Sequence, residues 1–237
     1  GRYGTRISEI IRHLEAARPL ASPPMAKALE ALVTFYHTGE AADRERYDIA
    51  WVQDKTSPVD TINGFIEVYM DPRGIKGSWE SLVYYVNQEK TVRIQTLAGS
   101  AQWFEDHMPW AATYRKPDVQ GIVANAIDVV IETGDSGPVT PIGINLPNDQ
   151  AIREQYGSKS VALSNVIEAY NQSTPGGMRN EFSWTPEEAE RSATFGEFAA
   201  ALTTDMHEVI GHASGRQAQS LKVPPQERIK EYFSALE

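Results

Sequence analysis

Two stretches with β-like patterning interrupt a chain whose other segments have helical spacing. The first, TINGFIEVYMDP, alternates aromatic and β-branched residues until Asp71-Pro72 ends the run, which is typical of a strand. The second, IDVVIETGDSGPVTPIGINLP, has two apolar runs around a Gly/Ser/Pro turn, which predicts a hairpin. Helical segments that alternate with β blocks predict an α+β fold in which the chain crosses between two lobes.

The helical segments before and between these blocks are read from apolar spacing and from capping residues. Residues 5–18 predict a first helix, because four apolar residues recur at helical spacing: Ile7, Ile10, Ile11 and Leu14. The stretch PPMAKALEALVTFYHTG predicts a second helix, with prolines at its start and Gly39 at its end. A further helical pattern, with interruptions, runs from about Trp79 to His107.

The last predicted helix has a well-defined start. Thr185 can cap it, Pro186 fits the first helical position, and Glu188 completes a capping box. Apolar residues then lie along one side of the helix, at Phe195, Phe198, Leu202 and Val209. We therefore expect this side to be buried.

Composition limits the chemistry and the partners. The 237 residues include no cysteine, so any transition metal must be held by His, Asp or Glu. A net charge of -10, without a Lys/Arg-rich run, disfavours nucleic acid or an anionic membrane as a partner. No apolar run is long enough to span a membrane, and the start GRYGTRISEI lacks a signal peptide's apolar stretch, so we expect a cytoplasmic protein of unknown oligomeric state.

The last helix ends in DMHEVIGHASG, where His207 and His212 stand five residues apart. Side chains at this spacing on a regular α-helix point about 140° apart, so they cannot bind one metal ion. A one-residue π-bulge would return His212 to the side of His207, and Gly211 makes such a distortion cheap. Glu208 could then take a proton from a metal-activated water. The alternative is that both histidines are ordinary polar residues of a helix.

This motif and two earlier blocks, GFIEVYMDPRGIKGSWESLVYYVNQE and GINLPNDQAIREQYGSKSVALSN, resemble the dipeptidyl peptidase III family of zinc exopeptidases. The family has a His-Glu-x-x-Gly-His motif and a later Glu-Glu-x-Arg-Ala element whose second glutamate is the third zinc ligand. The similarity runs from about Trp51 to Gly215. It implies a two-lobed metallopeptidase, with a helical, zinc-carrying upper lobe and a lower lobe that has a β-barrel core.

The resemblance also implies a division of the chain between the lobes. Residues 1–87 and 128–175 would belong to the lower lobe, 88–127 to a helical insertion of the upper lobe, and 176–237 to its zinc-motif helices. The peptide would lie between the lobes. Glu237 is similar to the first glutamate of the Glu-Glu-x-Arg-Ala element, so the third zinc ligand is expected just beyond it and the chain is expected to be a fragment.

The activity implied by the resemblance is the release of N-terminal dipeptides from short oligopeptides, with one Zn²⁺ per active site. His207 and His212 would bind the zinc, Glu208 would be the general base, and Tyr69 would stabilise the oxyanion. Three residues would hold the amino end of the substrate: Glu67, Asn145 and Asn148.

These substrate-binding roles agree with simple physical chemistry, although each residue has a structural alternative. Glu67 and Tyr69 are two apart on a predicted strand, so both side chains point to one face, and a carboxylate suits a substrate ammonium. The alternatives are that Tyr69 is a core aromatic, Glu67 a surface residue, and the two asparagines ordinary turn formers.

The sequence also allows two functions other than a metallopeptidase. GDSGP, at Gly134–Pro138, is similar to the serine-protease string Gly-Asp-Ser-Gly-Gly-Pro but lacks its second glycine, so Ser136 is interpreted as a turn residue. The other rival is a non-catalytic peptide-binding relic of the same fold that has lost its zinc.

Overall fold

The computed structural model describes residues 2–67, 73, 77–119, 122–137, 140–173 and 176–216. Within these residues the helices are α1 (Gly4–Ala17), α2 (Pro23–Thr38), α3 (Ala41–Gln53), α4 (Gln88–Gly99), α5 (Ala101–Asp106), α6 (Gln150–Tyr156), α7 (Ser164–Ser173), α8 (Gly176–Phe182) and α9 (Pro186–Asp205). The strands are β1 (Val59–Phe65), β2 (Trp79–Val86), β3 (Val123–Gly134), β4 (Gly143–Leu146) and β5 (Lys159–Leu163). None of the helices described here has both the length and the apolar character needed to cross a membrane.

The strands form one curled, mixed sheet in the order β1-β2-β3-β5-β4, which confirms the α+β class. The β3–β5 pair is parallel, and the other neighbouring pairs are antiparallel. The two N-terminal helices are confirmed as α1 and α2, and Gly39 ends α2 with a φ of 69°. The assignment of chain segments to two lobes stays a prediction.

The helix predicted to begin near Trp79 is wrong over its first eight residues, which form β2. Alternate residues of this strand, Glu80, Leu82 and Tyr84, are buried, as a strand between β1 and β3 requires. The helical part begins only at α4, where the side chain of Asn87 caps the helix by accepting from the Lys90 amide at 3.1 Å.

The predicted hairpin is also wrong. Its two apolar runs form β3 and β4, but these strands are separated in the sheet by β5. Strand β4 pairs with β5 in antiparallel register, with Asn145 opposite Ser160. The turn residues between the two apolar runs predict neighbouring strands, but the strand that separates them in the sheet comes from a later part of the sequence.

Each face of the sheet has its own core. Helices α2 and α3 cover one face through large side chains such as Leu32 and Trp51, which pack on Leu82 and Ile127. On the other face, small strand residues meet α4 and the end of the α9 segment: Ala124, Ala126 and Ala162 pack with Ile94, Val209 and Ile210. The small side chains allow the segment that carries the histidines to approach the sheet closely.

A buried ion pair joins α3 to the first of these faces. The Lys159 ammonium donates to Asp60 at 2.8 Å and lies 4.4 Å from the Trp51 ring centroid. The indole N–H of Trp51 donates to the other oxygen of Asp60 at 2.8 Å. Lys159 and Asp60 are almost fully buried, with side-chain exposures of 3% and 6%. The pair therefore depends on these contacts to offset the cost of desolvation.

Helix α9 begins as predicted but is less buried than expected. The Thr185 hydroxyl accepts from the Glu188 amide at 3.2 Å, and the Glu188 carboxylate accepts from the Trp184 amide at 2.9 Å. The predicted buried side is wrong for Phe195 and Phe198, which are 61% and 57% exposed. The reason is that burial begins only at the C-terminal end of α9, at Thr204 and Asp205, and continues in the following turn at Val209, which packs against the sheet.

Candidate metal and peptide site

The segment Met206–Gly211 continues α9 as a π-helical turn. The His212 amide donates to the His207 carbonyl, five residues back, at 3.1 Å. The imidazole rings of His207 and His212 consequently lie on one side, with centroids 4.9 Å apart and planes at 84°. The predicted π-bulge is confirmed, and it removes the geometric objection to a shared metal ion.

His207, Glu208 and His212 form a candidate metal-binding group among the described residues. One ligand atom from each lies within 4.8 Å of the others. His207 is exposed, whereas Glu208 is buried, so the group opens to solvent on the histidine side. Two imidazoles next to a carboxylate suit Zn²⁺, which takes nitrogen and oxygen donors. The position predicted for the third ligand, beside Glu237, lies outside the described residues.

The environment of the motif sets the protonation of two of its groups. Burial raises the pKa of Glu208 to about 7, and the Arg153 charge opposes this increase. Burial, together with the charges of Arg153 and His207, lowers the pKa of His212 to about 4. His212 is therefore neutral at pH 7, as a metal ligand must be. Oxygen Oε2 of Glu208 is buried and has no hydrogen-bond partner among the described residues.

Strand β4 passes directly against Glu208 at Gly143. A Cβ atom at this position would lie 2.3 Å from Oε1 of Glu208 and 2.6 Å from its Cγ. Only glycine leaves room for the carboxylate as it lies here. Sequence reasoning missed Gly143, and the one available signal was a glycine at the start of an apolar run.

Asn145 lies on the same strand beneath the metal motif, with an exposure of 7%. Its Nδ2 donates to Ser160 Oγ at 2.6 Å, to Ser158 Oγ at 3.1 Å and to the Glu208 carbonyl at 3.4 Å. The Ser160 hydroxyl donates to the same carbonyl at 2.8 Å. Oxygen Oδ1 of Asn145 is buried without a partner in the described part of the chain. Sequence reasoning identified Asn145 but not the two serines.

Asn148 and Glu67 meet although they are 81 residues apart: Nδ2 of Asn148 donates to Oε1 of Glu67 at 3.2 Å. Arg153 organises the loop between Asn145 and Asn148 by donating to the Pro147 carbonyl, to the Asn145 carbonyl at 3.1 Å and to Oδ1 of Asn148 at 3.4 Å. Because Arg153 engages the oxygen of the Asn148 amide, the nitrogen points to Glu67. Sequence reasoning missed Arg153.

Glu80 brings a second carboxyl close to Glu67. Burial, together with the Glu67 charge, raises the pKa of Glu80 to about 7. The buried Ser136 hydroxyl donates to Glu80 at 3.3 Å, so this serine belongs to the turn after β3 and supports a carboxyl group. Tyr69 lies outside the described residues, and its role stays a prediction.

A family model and several curated relatives match this chain. The model of peptidase family M49 matches residues 1–223. Dipeptidyl peptidase 3 of Nematostella vectensis is 30% identical over 217 residues, which cover 91% of this chain and 29% of that protein. Dipeptidyl peptidase 3 of Dictyostelium discoideum is 29% identical over 222 residues, again 91% of this chain and 30% of the relative. The chain thus spans less than a third of the length of these curated relatives.

A solved structure supports the fold. DPP III from Caldithrix abyssi superposes with a TM-score of 0.74 at 22% sequence identity, over 91% of this chain and 40% of that one. At this identity the likeness concerns the fold alone. The family model, in contrast, extends over nearly all 237 residues. We conclude that this chain belongs to peptidase family M49.

Proposed function

We propose that this chain carries the metal motif and part of the substrate-binding surface of a zinc-dependent dipeptidyl peptidase, which releases dipeptides from the amino end of short oligopeptides. The observation that carries the proposal is the π-helical turn, because it brings His207 and His212 to one side beside Glu208. Membership of family M49 supports a peptidase, and the relatives named dipeptidyl peptidase 3 support the dipeptide product.

In this proposal His207 and His212 hold one Zn²⁺, and a third ligand comes from beyond Glu237. Zinc in such a site activates a water molecule and polarises the carbonyl of the scissile bond. The donor set fits the metal, since His212 is neutral at pH 7 and the two rings face a common space.

Glu208 is proposed as the general base. It follows His207 directly in the sequence, and its carboxylate is fixed between the motif and Gly143 of β4. Oxygen Oε2 has no hydrogen-bond partner among the described residues, so it can accept a proton from the attacking water. The same oxygen can later deliver that proton to the leaving amine.

The amino end of the substrate is assigned to the neighbouring polar group. Glu67 can form a charge-assisted hydrogen bond with the substrate ammonium, and Asn148 holds the Glu67 carboxylate at 3.2 Å. Since two serines and a carbonyl engage Nδ2 of Asn145, its Oδ1, which is buried as it lies here, is the atom left to accept from a substrate N–H. Tyr69 is proposed to donate to the oxyanion that forms at the scissile carbonyl.

The two-lobed arrangement completes the proposal. Residues 1–87 and 128–175 would form one wall of a cleft, with 88–127 and 176–237 opposite, and the peptide would lie between them. Closure of such a cleft excludes water from the reacting groups.

The proposal is tested by measuring zinc content and the release of N-terminal dipeptides from a short peptide. Two proteins are compared: this chain, and a version extended past Glu237 by the segment that follows it. We expect zinc and activity only in the extended version, because catalytic zinc needs three protein ligands. If neither protein binds zinc or cleaves the peptide, the peptide-binding relic is favoured instead.

A further inference from the structure

The π-helical turn shifts the backbone hydrogen bonds of the motif, and one consequence concerns the carbonyl of Glu208. In a regular α-helix the His212 amide would donate to this carbonyl, four residues back. Here the amide donates to the His207 carbonyl at 3.1 Å. The Glu208 carbonyl therefore loses its regular backbone donor. A buried carbonyl without any donor would lower the stability of the fold. The groups that replace the lost donor therefore help to decide whether the π-helical or the α-helical form is stable.

The sheet supplies these partners. The Ser160 hydroxyl donates to the Glu208 carbonyl at 2.8 Å, and Nδ2 of Asn145 lies 3.4 Å from the same oxygen. Ser160 and Asn145 stand opposite each other on β5 and β4, with exposures of 1% and 7%. Asn145 also donates to Ser160 Oγ at 2.6 Å. Because this hydroxyl oxygen already accepts from the amide, its own proton is directed to the carbonyl.

We propose that Ser160, oriented by Asn145, locks the π-helical form of the motif and so sets the spacing of the two histidines. A regular α-helical turn would need the Glu208 carbonyl to rotate toward the His212 amide. That rotation would leave the Ser160 hydroxyl buried without an acceptor, and it would separate the histidines by about 140° around the helix. Ser160 is thus a positioning residue for the metal site.

This role of Ser160 rests on the proposed metal site, but it concerns the sheet beneath that site and can be tested separately. The alanines at 124, 126 and 162 let the turn approach the sheet, so that a short serine side chain can reach the backbone of the turn. A longer or apolar side chain at position 160 would not make the same contact.

The test removes one hydroxyl at a time in the full-length protein that carries this chain. Ser160→Ala deletes the donor to the Glu208 carbonyl. Ser158→Ala is the matched control, because Ser158 is also buried and accepts from the same Asn145 amide, at 3.1 Å. Zinc affinity is measured by competition with a chelator. We expect Ser160→Ala to weaken zinc binding by about 10- to 100-fold, the usual range for a supporting residue around a metal site. The control should bind zinc as the wild type does.

A second readout needs no metal. In the zinc-free protein, hydrogen exchange at the His212 amide reports on the hydrogen bond to His207, and Ser160→Ala should accelerate this exchange while Ser158→Ala should not. If Ser160→Ala fails to fold, Ser160→Cys keeps the shape with a weaker donor and should change both readouts in the same direction. Unchanged zinc affinity and unchanged exchange in a folded Ser160 variant would overturn the proposed role of Ser160. A wild-type protein that binds no zinc would instead overturn the proposed function. The exchange experiment would still decide whether Ser160 stabilises the π-helical turn.

Discussion

Gly143→Ala should impair the proposed reaction far more than it impairs folding. The added Cβ would lie 2.3 Å from Oε1 of Glu208, whereas ordinary contacts begin near 3.4 Å. The carboxylate or the strand must therefore move by about 1.1 Å. The nearest atoms all belong to the flexible side chain of Glu208, so the carboxylate is expected to move rather than the sheet.

The magnitude follows from this displacement. A misplacement of about 1 Å in a catalytic group can lower the rate by about 100-fold, which corresponds to about 2.7 kcal/mol of transition-state stabilisation. We expect kcat for dipeptide release to fall by roughly that factor. Zinc content should be unchanged, because neither histidine is among the atoms nearest to the new methyl group.

The assay measures kcat, zinc stoichiometry and Tm of the full-length protein. Gly99→Ala is the control, because a Cβ at that position, at the end of α4, would meet no heavy atom within 4 Å. A Gly143→Ala protein with wild-type kcat would refute the placement of the Glu208 carboxylate against β4. Loss of both zinc and thermal stability would show that the sheet, and not the side chain, had moved.

Three further changes test separate parts of the structure. Lys159→Ala leaves the buried carboxylate of Asp60 without its cation and should lower the free energy of unfolding by about 3–5 kcal/mol in urea titrations; a loss near zero would contradict the buried pair. Burial and the Glu67 charge raise the pKa of Glu80 to about 7 in the folded protein. The protonated carboxyl of Glu80 therefore stabilises the fold fully below the pKa of a glutamate in the unfolded chain, and this stabilisation is lost as the pH rises to 7. Glu80→Gln should therefore make urea midpoints fall less than those of the wild type between about pH 5 and 7, and parallel curves would exclude the raised pKa. Glu67→Ala should raise KM mainly for peptides with a free amino terminus, whereas an equal effect on blocked peptides would remove its anchoring role.

Local signals in the sequence predicted the parts of the fold that depend on neighbouring residues. The start of α9 depends on Thr185 and Glu188, which are three residues apart, and the end of α2 depends on Gly39 alone. The π-helical turn was also predictable, because the five-residue spacing of His207 and His212 is incompatible with a shared metal on a regular helix.

The errors arose where distant segments decide the structure. Residues 79–86 became a strand because β1 and β3 pair with both edges, and β4 is separated from β3 by β5. Burial of Phe195 and Phe198 could not be judged from helical spacing, since spacing shows which residues share a side but not what that side meets.

The candidate site divides in the same way. The residues of the metal motif lie within one short segment, and the two asparagines lie within another. Each group could therefore be predicted from its own segment of the sequence. The contact between Asn148 and Glu67, the close approach of Gly143 to Glu208, and the bond from Ser160 to the Glu208 carbonyl depend on the order of strands. No pattern within any one segment shows these contacts.

The central claim is that His207 and His212 hold zinc while Glu208 moves the proton. The most direct test is Glu208→Gln in the full-length protein, with zinc stoichiometry and dipeptide release measured on the same samples. The substitution keeps the size of the side chain and removes its basicity. We predict one zinc per chain in both proteins and dipeptide release by the wild type alone. Dipeptide release by zinc-loaded Glu208→Gln at the wild-type rate would contradict the account.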